Sequence, residues 1–172
     1  LKEDQDLYRR ATYYRALSTA QLRQKDADYQ LLAFIEAYPD ALEVNEVKFF
    51  LGQYYFISKK YKEVIPVLSS LDATLLTIDQ SAKTHYYLGY SYFTRDAFKE
   101  AKQSFEQISG LKNEYHYPAN YYLGVIAYQE GNGSSALAYF NKLRESANYA
   151  RIIPYYITKL QFELGQYDAL LN

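Results

Sequence analysis

The sequence predicts an all-α chain, an α-solenoid of short antiparallel helix hairpins set one after another. Three observations point to it. A twenty-letter pattern is written three times, as "FFLGQYYFISKKYKEVIPVL" from Phe49 to Leu68, "YYLGYSYFTRDAFKEAKQSF" from Tyr86 to Phe105 and "YYLGVIAYQEGNGSSALAYF" from Tyr121 to Phe140. Its glycines, Gly52, Gly89 and Gly124, lie 37 and 35 residues apart, and a fixed period near 35 residues marks a repeat array. Inside each copy the apolar residues recur at helical rather than strand spacing. Only seven Gly and four Pro stand among the 172 residues, which suits helices with short connections.

Taken in order, the elements are five hairpins, near 5–37, 42–71, 80–109, 116–146 and 149–172. Stepping 37 back from Gly52 reaches Arg15, and stepping 34 on from Gly124 reaches Thr158, so these two stand in the glycine's place in the outer hairpins. In the second hairpin, Pro66 falls inside the second helix, where its missing N–H and its ring are expected to delay or kink it. The stretch "LDATLLTIDQ", Leu71 to Gln80, holds the extra residues of the longest interval and is apolar enough to be expected to pack back on the stack. In the third hairpin, Leu88 and Tyr92 share one face, and Phe98, Ala101, Phe105 and Ile108 form the stripe of the second helix. Asp96 is placed to cap that helix. Gly131 and Gly165 stand where first helices end, in the left-handed position that Gly tolerates best.

The small residues have a packing reason. A mid-helix Gly costs about 1 kcal/mol against Ala; repeated in register, it predicts close approach of the two helices of a hairpin. Ala101 and Ala136 would form the matching small surface, and Phe105 and Phe140 would fill the space between neighbouring hairpins. A hairpin alone cannot bury its apolar face, whereas stacked hairpins can.

These residues resemble the tetratricopeptide repeat (TPR), whose pattern runs W-x2-L-G-x2-Y, then A-x3-F, then P. "LGYSY" with "AKQSF" matches from Leu88 to Phe105, "LGQYY" matches from Leu51 to Tyr55, "LGVIA" with "ALAYF" matches without its Tyr, and Pro39 matches the closing Pro. The resemblance covers about residues 8–172, within a single array over 1–172, with repeats at about 8–40, 45–72, 80–112, 117–147 and a partial one at 149–172. It implies a right-handed superhelix. The chain departs from the pattern in placing Lys48, His85, Asn120 and Pro154 where the family has Trp, and Val64 where it has Ala. The stretch "FIEAYPDALEVNEVKFFLGQYYF" is also similar to bacterial envelope TPR proteins of the outer-membrane assembly lipoprotein and Tol-Pal accessory kinds. That likeness implies a periplasmic or cell-envelope location.

Composition bounds the function. Net charge is −1, which gives no whole-chain attraction for nucleic acid or anionic lipid. There is no Cys, hence no disulfide or thiolate metal site, and no apolar run long enough to span a membrane. The chain also lacks Met, which implies an excised or processed segment and leaves a removed leader open. Two His, His85 and His116, with no HExxH, P-loop or GxSxG pattern, give no basis for an enzyme, a cofactor or a metal. His85, in the Trp place, reads as partly packed. "NGS" at 132–134 reads as an interhelix turn rather than a glycosylation acceptor.

Recognition is the better reading, because Tyr, at 22 residues, is the compositional anomaly. In a TPR array the first helices line a concave face. Residues three before and four after each anchor are expected on it: Phe49 and Phe56, Tyr86 and Phe93, Tyr121 and Tyr128, Tyr155 and Phe162, with Tyr90 between the rows. Such rings bury much area at low rotamer cost. The alternative for the same rings is packing between hairpins. The family members that clamp acidic tails carry several bases in the groove, and this chain has only Lys83 and Lys159 nearby. The sequence therefore predicts a non-enzymatic scaffold that binds a protein or peptide segment in an aromatic groove. A second reading is a structural stretch of a longer solenoid, docking on flanking repeats or self-associating through an open C-terminal end that includes Leu170 and Leu171. Single-stranded RNA binding is disfavoured by the absence of a basic stripe.

Overall fold

The computed structural model describes residues 2–167. Among these residues the chain is all-helical, with nine α-helices and no strand. They are α1 (Lys2–Gln21), α2 (Ala27–Ala37), α3 (Val44–Ile57), α4 (Tyr61–Ser69), α5 (Ile78–Phe93), α6 (Phe98–Glu106), α7 (His116–Gln129), α8 (Gly133–Asn141) and α9 (Ile153–Glu163). The chain divides between Arg95 and Asp96 into two compact units, the first holding α1 to α5 and the second α6 to α9.

The repeat is written into the backbone as well as the sequence. Left-handed φ angles occur at Arg23 (52°), Lys59 (58°), Asp96 (58°), Gly131 (73°) and Gly165 (69°), at intervals of 36, 37, 35 and 34 residues. Each stands just past the end of a first helix. The next residue's N–H reaches back to the carbonyl five before it, as in Gln24 to Thr19 (3.0 Å), Lys60 to Tyr55 (2.8 Å), Asn132 to Ala127 (2.9 Å) and Gln166 to Gln161 (2.8 Å). This is the Schellman closure, which satisfies carbonyls that the helix end would leave unbonded. Asn132 then caps α8, its Oδ1 accepting from the Ser135 N–H at 3.1 Å, so "NGS" is a helix cap and the first two residues of α8 rather than a turn between helices.

Unit 1 is built on Ala16, Leu17, Leu31, Phe34, Val47, Leu51, Val64 and Leu68, all buried. Here the glycine has its physical reason. A Cβ added at Gly52 would lie 2.1 Å from a methyl of Leu68, sixteen residues on, so α4 rests directly on the α3 backbone. Unit 2 repeats the device: a Cβ at Gly124 would lie 2.4 Å from Phe140, again sixteen on. The same ring also reaches the next hairpin, with its centroid 5.4 Å from that of Tyr156, while Phe105 stacks on Tyr122 at 5.2 Å. Ala101 and Ala136 are fully buried. One side chain thus serves the contact within a hairpin and the contact between hairpins.

Several local expectations are corrected. Asp96 does not cap α6; it occupies the left-handed turn position, and Ala97 stands at the cap with no side-chain bond. In the first hairpin the left-handed residue lies seven after Ala16, as Lys59 does after Gly52, so buried Ala16 takes the glycine's place and Arg15 lies exposed. The first helix also starts earlier than the pattern implies, at Lys2. Pro66 does not delay α4, which begins at Tyr61; the ring sits on the exposed side, where the missing N–H leaves a carbonyl to solvent. The 71–80 stretch does not pack back as a whole, since Leu75 and Ile78 are exposed and only Leu71 rests on the core. Leu170 and Leu171 lie outside the described residues.

Candidate functional site

The expected aromatic rows separate into three environments. Phe49 is only 4% exposed and cannot meet a ligand. Three positions before Gly52 is about 60° around the helix, next to the seam that α4 covers, so the ring is drawn into the core. The neighbouring Phe50 (ring centroids 5.9 Å apart) lies outward instead, lining a cleft of about 310 Å³ with Gln53 and Ile57 of α3 and Ala20 and Gln21 of α1.

Phe56, Tyr86 and Tyr90 are brought together in unit 1, and two residues outside the expected set complete the cluster. Phe56 stacks on Tyr87 at 3.9 Å with planes 13° apart, and lies 5.5 Å from Tyr90 and 6.1 Å from Tyr86. Tyr61, at the start of α4, packs edge-on against Tyr90 at 5.2 Å and against Phe56 at 5.7 Å. Burial raises the Tyr61 phenol above its usual range, and its hydrogen bond with Tyr90 adds to this. All five rings are half-buried, so each presents an edge or face while bracing the others. Phe93 is half-buried on the same helix.

In unit 2, Tyr121 stacks on Tyr149 at 5.1 Å and its phenol is raised by burial. Tyr128 is engaged by Lys159, whose Nζ donates to its hydroxyl at 2.5 Å and lies 3.8 Å from Glu163. That hydroxyl holds the ammonium above its ordinary range. Tyr155 and Phe162 are different: they are 66% and 62% exposed. They lie seven residues apart on α9, two turns on one side, with Lys159 between them. Ile153, Ile157 and Leu160 bury the opposite side of the helix in the unit's core, so the exposed rings are carried on a fixed element. Phe162 is further braced by Tyr167, edge-on at 5.7 Å.

The residues in the Trp place do other work. Asn120 is fully buried, and its Nδ2 donates to the carbonyls of Ser109 and His116, both at 2.8 Å, tying α7 to the connection that follows α6. His85 is half-buried, and burial lowers its imidazole below the usual value. Thr158, in the glycine's place on α9, is exposed and lines a cleft of about 390 Å³ with Leu143, Ile153 and Ile157. Among the described residues no three His, Asp or Glu side chains gather as a metal site would need, and no helix is long and apolar enough to cross a membrane.

Fold and surface together define an all-helical chain of repeated hairpins that presents aromatic rings from its first helices. Compared with known proteins, it matches no family model, no curated sequence and no solved structure.

Proposed function

We propose that this chain is a non-enzymatic interaction scaffold of the TPR type, holding a protein or peptide segment against the aromatic faces of its first helices. The observation that carries this reading is the exposed face of α9, where Tyr155, Lys159 and Phe162 stand in line on a helix fixed from behind. Two large rings exposed on one face of a helix that is packed from behind are of the kind that commonly anchors interfaces. The recurring left-handed turn and the glycine seat for the residue sixteen on support the repeat type. The aromatic cluster around Phe56 and Tyr90 supplies a further surface of the same chemistry in unit 1. With few charges among these rings, binding depends only mildly on salt, unlike a phosphate-binding site. The likeness of residues 34–56 to bacterial envelope TPR proteins makes the periplasm or cell envelope the proposed compartment.

The test is a crosslinking capture from the cell of origin, run with the wild-type chain and with Tyr155→Ser/Phe162→Ser. The variant removes only exposed rings, so its far-UV spectrum is expected to match wild type while the captured partner is lost. Identical captures from both would refute the reading.

The second reading, a stretch of a longer solenoid, draws on the cleft beside Thr158. In α3 and α7 the equivalent glycine is covered by Leu68 and Phe140, whereas here Leu143, Ile153 and Ile157 line an open cleft. Light scattering that shows mass rising with protein concentration, and falling back on Thr158→Arg at the exposed lip of that cleft, would favour it.

A further inference from the structure

Helix α1 is longer than the hairpin that holds it. At about 1.5 Å per residue its 20 residues run about 30 Å, against about 16 Å for the 11 residues of α2. Its packed side, Tyr13, Ala16, Leu17 and Ala20, belongs to the C-terminal half, while Glu3 to Tyr8 are all exposed. The free part is apolar in a defined place. Leu7, Ala11, Tyr14 and Ser18 recur at intervals of four, three and four on the face opposite Ala16, and Leu7, Tyr8 and Tyr14 are 69%, 68% and 58% exposed. That alternation of intervals is the seam by which one helix packs along another.

The helix is held in its direction by α3. Arg9 pairs with Glu43 and, at 2.7 Å, with Asp6, and the Tyr13 hydroxyl donates to Glu46 at 2.7 Å. The open face carries Glu3 and Asp4 in its first turn and Arg10 and Arg15 further on, all exposed. The acids suit a helix N-terminus, but the arginines stand mid-helix, where the macrodipole gains little from them, and the last turn holds no base. Asp4 and Arg15, eleven residues apart, lie about 20° from each other around the helix and flank the seam on the same side. A second α1 laid parallel to the first would bring like charges together; laid antiparallel, it brings unlike charges together.

We infer that this chain pairs with a second copy of itself through α1, the two helices antiparallel about a two-fold axis beside residues 9 and 10. Asp4 of each copy then faces Arg15 of the other, and Leu7, Tyr8 and Ala11 close over one another between these charges. A two-fold contact of this kind is complete at two chains. It lies on α1 and leaves the rings of α9 open.

The test is light scattering of the full chain over a concentration series. The mass is expected to rise toward two chains and no further, and the rise should move to higher concentration as salt is added. Leu7→Ser/Tyr8→Ser should weaken the pair at least tenfold with an unchanged far-UV spectrum. Asp4→Arg and Arg15→Glu should each weaken it alone, and mixing these two chains should restore it. Because the native chain has no Cys, the direction of pairing is read by mixing Asp4→Cys with Arg15→Cys under mild oxidation. Antiparallel pairing gives the mixed disulfide and neither homodisulfide, whose sulfurs would stand about 16 Å apart along the helices. A single-chain mass at every concentration, indifference to the α1 variants, or homodisulfides in place of the mixed one would overturn the inference. So would a dimer that Thr158→Arg abolishes, because the contact would then lie at the cleft on α9. Tyr155→Ser/Phe162→Ser should pair like wild type, which separates this contact from the recognition face proposed above.

Discussion

Replacing Gly124 by Ala sets two effects of opposite sign against each other. In a helix interior the change is worth about 0.8–1.0 kcal/mol in favour of Ala. Against it, the new Cβ would lie 2.4, 2.7 and 3.0 Å from three ring carbons of Phe140. That ring is fully buried and leans on Tyr156, so it cannot swing aside without disturbing the next hairpin. Overpacking of this kind costs about 1–3 kcal/mol, so the net change should be a loss of about 0–2 kcal/mol instead of a gain. A double-mutant cycle makes the cause visible. With Phe140→Leu the obstruction shrinks, and Gly124→Ala should become neutral or favourable, with a coupling of about 0.5–3 kcal/mol. Urea unfolding followed by far-UV circular dichroism measures each corner of the cycle. Gly110→Ala is the control, because nothing lies within 4 Å of its added Cβ, and stability there should hold. If Gly124→Ala stabilises the chain by about 1 kcal/mol in both backgrounds, the glycine is not a seat for Phe140 and the packing argument fails.

Three further outcomes follow from the same structure. Lys59→Gly should stabilise by about 1 kcal/mol and Gly131→Ala should destabilise by about 1–2 kcal/mol, since both residues hold left-handed φ at a Schellman turn; thermal melts of both decide it. Asn120→Ala should cost about 1–3 kcal/mol, because it strands the Ser109 carbonyl beside a buried position, and denaturant melts measure that loss. His85 has a folded pKa below its ordinary 6.5 because burial disfavours the imidazolium. Its contribution to stability is therefore fully present above about pH 6.5 and is lost as pH falls through the folded value, and melting temperatures between pH 8 and 5 should fall less steeply in His85→Gln than in wild type.

The sequence reveals what recurs and hides what depends on neighbours. Gly52 and Gly124 were legible as close-approach sites because their spacing repeats, and the left-handed turns at Gly131 and Gly165 because glycine marks them. The equivalent turns at Arg23 and Lys59 were not legible, since neither side chain favours the left-handed region, and Asp96, of a type that tolerates it, looked like a cap instead. The aromatic positions follow the same rule. Three before and four after a glycine lie within about 60° of the buried seam, so their exposure is set by what packs beside each helix. Tyr86 and Tyr90 of α5 cover Phe56, and Tyr149 covers Tyr121. Tyr155 and Phe162 of α9, by contrast, stay largely exposed. The 71–80 loop carried an apolar signal that pointed to the core, yet Leu75 and Ile78 stay exposed. Only the Asn45–Asp72 pairing, side-chain amide to backbone, shows that the loop is held outward.

The most direct measurement places a photo-activatable benzophenone side chain on the face of α9. Incorporated at Phe162 or Tyr155 and irradiated in the cell of origin, it should give one discrete covalent adduct with a partner protein. The same group at Lys99, exposed on α6, should give none. No adduct at either ring, or the same adducts from all three positions, would contradict the assignment of that face to recognition.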